Sequence, residues 1–296
     1  MSTSINWAPT TTALHQLHRD LNGRYSTWPT PEVHAPPITD EQRRRARIQW
    51  ANRVRATYAS TARVASIHQQ FLALGAPLDI ISGASYISRE LTRFLTVTTH
   101  LLRPLEPEMA LTVDHRALLN SGQPTSWEKV FEQAVELFCF NLVLSQPIYE
   151  ALSAVSSDTA IAELSAAIAE SLGELHEYGK LALQWISTTL SARVTASTQA
   201  RLPSLLAAYE LLCDGSPDVL DELAGEEIVV ETRPGNLGTL QSNHRAAIFY
   251  DTLNSSIFAL LDDFGWQSSQ AWQAHYRHTG LATSSPVAIM AVGLHP

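Results

Sequence analysis

The chain lacks almost every short motif that announces a reaction. No Asp or Glu in its 296 residues is followed three positions later by His, so the acid-x-x-His pair that holds iron or manganese inside a helical bundle is missing. No Gly-x-Ser-x-Gly turn occurs, which removes the common serine-hydrolase elbow. Gly235-Asn236-Leu237-Gly238 has no Lys-Ser/Thr after it, so it is read as a turn and not as a phosphate loop. Cysteine is scarce too. Cys139 and Cys213 each sit in an apolar helical pattern with no histidine nearby in sequence, which predicts reduced core thiols and a cytoplasmic protein. The apolar runs are interrupted well short of a membrane span. The first residues have no charged segment leading into an apolar run, so no secretory signal is expected. A net charge of -9 works against nucleic acid and anionic membrane as partners.

What is present describes a fold. Hydrophobic residues make up 45% against 17% charged, which suits a globular chain with a sizeable core. Residues 1–38 are rich in Thr and Pro and are read as an N-terminal arm. Thr39-Asp40-Glu41-Gln42 has capping-box spacing and opens a first long helix with the stripe Trp50, Val54, Thr57, Thr61, Val64, His68, Phe71. Gly75-Ala76-Pro77 stops it. A second helix carries Ile80, Ala84, Ile87, Leu91, Phe94 and Leu101. A loop over 105–124 follows. Thr125-Ser126 caps a third helix with Phe131, Val135, Phe138, Leu142 and Leu152, kinked at Pro147. Ser157-Asp158 caps a fourth with Ile161, Leu164, Ile168, Leu172, Leu175, Gly179, Leu183 and Ile186. Shorter helices are expected over 203–213, 242–263 and 268–277, with one extended stretch over 226–235. The expectation is all-α: an arm over 1–38, a four-helix bundle over 39–192, and a helical C-terminal extension over 193–296.

The polar residues that these stripes turn inward, or hold at their border, are few. They are Thr57 and Thr61 on the first helix, Tyr86, Glu90 and Arg93 on the second, Asn141 on the third and His176 on the fourth. Glu90 and Arg93 are one turn apart and can pair. A dimetal bundle needs about four carboxylates and two imidazoles. One carboxylate, one imidazole and a guanidinium do not supply them, and two ions would meet a cation in a low-dielectric core. Arg93 is therefore expected to take the place of metal charge beside Glu90. Glu136, Glu174 and Glu177 are expected to lie off the apolar faces. His275 and His278 are read as a surface pair.

Trp50-x-x-Arg53, Tyr58-x-Ser60 and Gly75-Ala76-Pro77 resemble the opening of bacterial ferritin-like domain proteins. So do Phe138-Cys139-Phe140 with Ser145 and Pro147, and His176-Glu177-Tyr178-Gly179 with Trp185. Leu237-Gly238 through Phe249-Tyr250 to Trp272 is similar to that family's C-terminal extension. The resemblance spans residues 42–277. It implies a ferritin-like four-helix bundle whose ligand positions have degenerated. Thr57 stands where the family has a glutamate ligand. Arg89-Glu90-Leu91-Thr92-Arg93 stands for Asp-Glu-x-x-His, Asn141 or Leu142 for the third-helix glutamate, and Gly173-Glu174-Leu175-His176 for the second Glu-x-x-His. Of six ligands, Glu90 and His176 survive.

Three functions follow as expectations. The first is a metal-free, cofactor-free bundle whose cavity binds a small, partly apolar molecule through Arg93, Thr57, Thr61, Tyr86 and Asn141, or which partners an active relative or a second copy of itself. A variant of it uses Glu90 or His176 for acid–base catalysis with Arg93 holding an anion. The second is an oxygenase or oxidase with one or two metal ions on unusual ligands drawn from Glu136, Glu170, His68 or His100. The third is a structural or interaction protein that docks an acidic partner on Arg43, Arg44, Arg45, Arg47, Arg53 and Arg55.

Overall fold

A computed structural model of the chain describes residues 2–4, 38–105, 112–114, 127–189, 192–223, 232 and 234–275. Among the described residues the protein is all-α apart from one short antiparallel pairing of β1 (Ser2–Ser4) with β2 (Thr112–Asp114). Residues 5–37 of the arm, the cap at 125–126 and residues 226–231 and 233 of the extended stretch lie outside the described residues. No helix among the described residues is long and apolar enough to cross a membrane.

The first helix, α1 (Asp40–Ala73), begins where the capping box predicts. The Thr39 hydroxyl accepts from the Gln42 backbone N–H at 3.2 Å, and the Gln42 side chain accepts from the Thr39 N–H at 2.9 Å. Two of the orphan donors at the helix start are satisfied reciprocally. The helix ends because Gly75 turns the chain at φ +71°, a conformation that costs glycine nothing. Pro77 then precedes α2 (Leu78–Leu102).

The third helix, α3, runs from Trp127–Ala134 through a π-helical stretch, Val135–Asn141, into Leu142–Val155. The Ser145 hydroxyl donates to the Asn141 carbonyl at 2.6 Å one turn before Pro147. The irregularity of α3 thus lies ahead of the proline, in a π-turn that no proline signals. Asp158 caps α4 (Thr159–Thr189) by accepting from the Ile161 N–H at 3.0 Å. All eight predicted apolar positions of α4 are buried, as are all six of α2.

Edge contacts between rings fix the direction of these helices. Trp185, near the end of α4, touches Phe71, near the end of α1, at 6.3 Å between centroids. It also touches Trp127, at the start of α3, at 5.7 Å. So α1 and α4 end where α3 begins, and α2 also begins there. Helices α2 and α3 therefore run parallel, with the end of α2 and the start of α3 at opposite ends of the bundle. Each of the pairs α1–α2 and α3–α4 is an antiparallel hairpin.

Beyond α4 come α5 (Ala192–Gln199), α6 (Leu202–Leu212) and α7 (Pro217–Leu223). Then α8 runs from Ser242–Thr252 through a second π-stretch, Leu253–Ile257, into Phe258–Asp263, and α9 (Ser268–His275) follows. These elements are packed onto the long helices. The Trp50 indole is fully buried and donates to the Leu237 carbonyl at 2.8 Å. Tyr209 of α6 stacks on Phe140 of α3 at 4.8 Å. In the extension, the Glu210 carboxylate is held by the Tyr250 hydroxyl at 2.8 Å and by His275 at 3.0 Å. His275 is fully buried, so the expectation of a surface histidine is wrong for it. The pairing with Glu210, remote in sequence, is what makes its burial tolerable.

Candidate functional site

Glu90 sits at the seam between α2 and α4 with only 2% of its surface exposed. A lone buried carboxylate is costly, and three groups offset that cost. Arg93, one turn along α2, reaches its Oε2 at 3.0 Å. Arg89 reaches Oε1 at 3.2 Å, and the Ser171 hydroxyl of α4 donates to Oε2 at 3.4 Å. The Arg93 side chain is 16% exposed, so it turns toward the carboxylate and not out to solvent. Burial lowers the Arg93 pKa from its ordinary value while Glu90 opposes that shift. Tyr86, on the same seam, donates to Glu174 at 2.9 Å and carries the Arg89 guanidinium 4.9 Å from its ring centre. Burial, then the hydrogen bond to Glu174, raises its phenol pKa.

His176 does not join this cluster. It lies about 140° around α4 from Ser171 at the 100° per residue of a helix. Its pKa is lowered by burial, against Glu177, with Lys180 adding to the shift. Gly173, one turn earlier, faces Gln146 of α3. Thr61 is spent locally, donating to the Thr57 carbonyl at 2.8 Å, and His68 meets the Ser85 hydroxyl at 3.2 Å across the α1–α2 seam. Neither is a core residue; over that part of α1 the buried residues are Ala59, Val64, Ile67 and Phe71.

Glu136 was expected off the apolar face and is instead 4% exposed. Every residue of the π-stretch from Val135 to Phe140 is buried, so Glu136 is enclosed together with the predicted Val135 and Phe138. Arg63 of α1 meets the Glu136 carboxylate at 3.2 Å. Burial nevertheless raises the Glu136 pKa, with Arg63 opposing. Among the described residues no three of His, Cys, Asp or Glu converge to hold a metal ion. Both thiols are free and buried, and burial pushes Cys213 up to about 12 and Cys139 higher, so neither is a nucleophile at neutral pH.

Among the described residues, a space lies elsewhere, between α1, α3 and the extension. A cavity of about 220 Å³ opens there. One face of α1 borders it through Gln49, Asn52, Arg53, Ala56, Thr57 and Ser60, positions three and four apart that share a side of the helix. The small residues Ala56 and Ser60 leave the room. Leu91 and Phe94 of α2 and Leu172 of α4 line it with apolar surface. Asn141, Leu142 and Tyr149 come from α3, and Tyr209 and Arg245 from the extension.

Of the residues expected in a ligand site, Thr57 and Asn141 line this cavity, while Glu90, Arg93, Tyr86 and His176 do not. Asn141 closes the π-turn. Its Oδ1 accepts from the Tyr209 hydroxyl at 2.7 Å, and its buried Nδ2 has no hydrogen-bond partner. Thr57 hydrogen-bonds Tyr149, whose phenol pKa burial raises, with Arg53 opposing.

Arg53 belongs to the cavity and not to a surface patch. It lies 4.6 Å from the Trp50 ring centre, and donates to the Gly238 carbonyl and to Gln49 Oε1, both at 3.0 Å. Burial pulls its pKa down to about 10, against Tyr149 and reinforced by Arg245. Arg245 is paired with Asp214. Arg44 and Arg45, on the outer face of α1, both bond Glu41.

Arg53, Tyr149, Tyr209 and Arg245 were missed as site residues. The spacing of Arg53 with Asn52, Ala56, Thr57 and Ser60 could have pointed to it. The others meet it only through the fold. No family model, curated protein or solved structure matches this chain.

Proposed function

We propose that this chain is a ferritin-like bundle that binds a small organic molecule in the cavity beside α1. The topology supports the first half of the reading: two antiparallel hairpins joined by one connection that traverses the bundle are the ferritin-like arrangement. The observation that carries the second half is the cavity of about 220 Å³ bordered by Thr57 and Asn141, two of the positions where the resemblance implies metal ligands. An apolar cavity of about 150 Å³ holds one benzene ring, so this one has room for something somewhat larger.

The metal ions that the resemblance implies do not fit the residues present. Glu90 spends its oxygens on Arg93, Arg89 and Ser171. His176 faces a different flank of α4, and Thr57 and Asn141 are poor ligands. Acid–base catalysis by Glu90 and His176 is not favoured either, since the two are not brought together.

The test is thermal unfolding of the full chain with a panel of neutral, cationic and anionic amphiphiles of about nine non-hydrogen atoms, the size scaled from the benzene case. At least one class is expected to raise Tm in the natural protein and not in Ala56→Trp, where an indole fills the space. No shift with any class, or an equal shift in Ala56→Trp, would overturn the reading. So would two iron or manganese ions per chain in the purified protein.

A further inference from the structure

The polar groups around the cavity are biased toward one charge. Its lining contains two guanidiniums and no carboxylate. Arg245 is neutralised by Asp214. Arg53 has no carboxylate partner among the described residues; its two hydrogen bonds go to the neutral oxygens of Gly238 and Gln49. A guanidinium has five N–H donors in a planar fork, so donors remain for a ligand.

Holding an arginine inside a fold without a counter-charge is costly. The side chain is nevertheless fixed there, packed on Trp50 and tied to Gly238. Asn141 also borders the space, and its Nδ2 is buried with no hydrogen-bond partner. The remainder of the lining toward the bundle centre, Leu91, Phe94, Leu142 and Leu172, has no polar side chain.

We propose that the cavity takes an amphipathic monocarboxylate, its carboxylate on Arg53 and its carbon chain against Leu91, Phe94 and Leu172. This rests on the reading of the cavity as a small-molecule site and names the class of molecule. A planar carboxylate matches the guanidinium fork, and it restores the missing counter-charge. Scaling the benzene-sized cavity to this volume gives about nine non-hydrogen atoms, the size of heptanoate.

Calorimetric titration of the full-length protein with heptanoate and with heptan-1-ol at neutral pH separates the charge from the cavity. The two ligands share a chain and differ in the head group. Heptanoate is expected to bind about 10- to 100-fold more tightly, the range of a charged hydrogen-bonding pair. Arg53→Met is expected to abolish that advantage while leaving the alcohol's affinity.

Equal affinity for the two ligands would overturn the assignment of a carboxylate and leave the cavity reading standing. Binding of neither would overturn both. Heptanoate binding unaffected by Ala56→Trp would place the ligand elsewhere and overturn the proposal. Arg53 also holds the 236–240 loop, so Arg53→Met carries a risk to folding. The comparison of the two ligands on the natural protein does not depend on it.

Discussion

Replacing Arg93 by Met tests the charge substitution inside the bundle. The side chain keeps most of its length and its packing along α2, and loses the cation. Glu90, 2% exposed, then keeps Arg89 and Ser171. Removing one partner of a buried pair typically costs about 3–5 kcal/mol, because the other charge is left uncompensated. Arg89 is itself 56% exposed, so it recovers only part of the lost interaction, and about 2–3 kcal/mol is expected. The double variant Glu90→Leu/Arg93→Met removes both charges and supplies apolar volume. It is expected within about 1 kcal/mol of the natural protein, since buried pairs and apolar replacements roughly break even. Urea unfolding followed by far-ultraviolet circular dichroism on these three proteins and the single variant Glu90→Leu closes the cycle, with a coupling of about 2 kcal/mol expected. If Arg93→Met alone cost less than about 0.5 kcal/mol, as an ordinary surface change does, the carboxylate would not depend on it and the reasoning would fail.

Other outcomes follow from single sites. Gly238 sits at φ +69° with room for no Cβ, which would meet Ile161 at 2.9 Å and Trp50 at 3.0 Å. Gly238→Ala is expected to lose roughly 2–3 kcal/mol in the same unfolding assay, combining backbone strain with overpacking. Tyr209→Phe removes the donor that Asn141 Oδ1 accepts from at 2.7 Å. It should cost about 1–2 kcal/mol in that assay. The folded-state pKa of His176 is depressed below 6.5 by burial. The stabilisation this represents is present above pH 6.5 and is lost as pH falls through the lowered value. The natural protein should therefore lose stability on acidification relative to His176→Gln, and parallel curves for the two would refute the assignment.

The helices were legible because their signals are local. The Thr39–Gln42 capping box, the Gly75 stop before Pro77 and the Asp158 cap each act within a few residues. The α2 and α4 stripes count correctly at 100° per residue because those helices are regular. In α3 the predicted stripe of Phe131, Val135, Phe138, Leu142 and Leu152 is buried as well, but the π-stretch over Val135–Asn141 encloses Glu136 with it, and no marker residue announces that. The Glu90–Arg93 pair was legible because both residues lie on one turn. The cavity was not, since its wall joins α1 to Tyr209 and Arg245, more than 150 positions away on average. Arg53 looked like part of a basic surface run. Only the fold shows that the 236–240 loop covers that side of α1 and turns the side chain inward. His275 was misjudged for the same reason: Glu210, its partner, is 65 positions away.

A crystal structure of the protein grown with heptanoate and ferrous iron, with anomalous data at the iron edge, tests the central claim most directly. The account predicts a carboxylate on Arg53, a carbon chain running toward Phe94, and no anomalous peak beside Glu90. An iron peak at Glu90 with the Arg93 side chain swung out to solvent, and nothing bound beside α1, would contradict it.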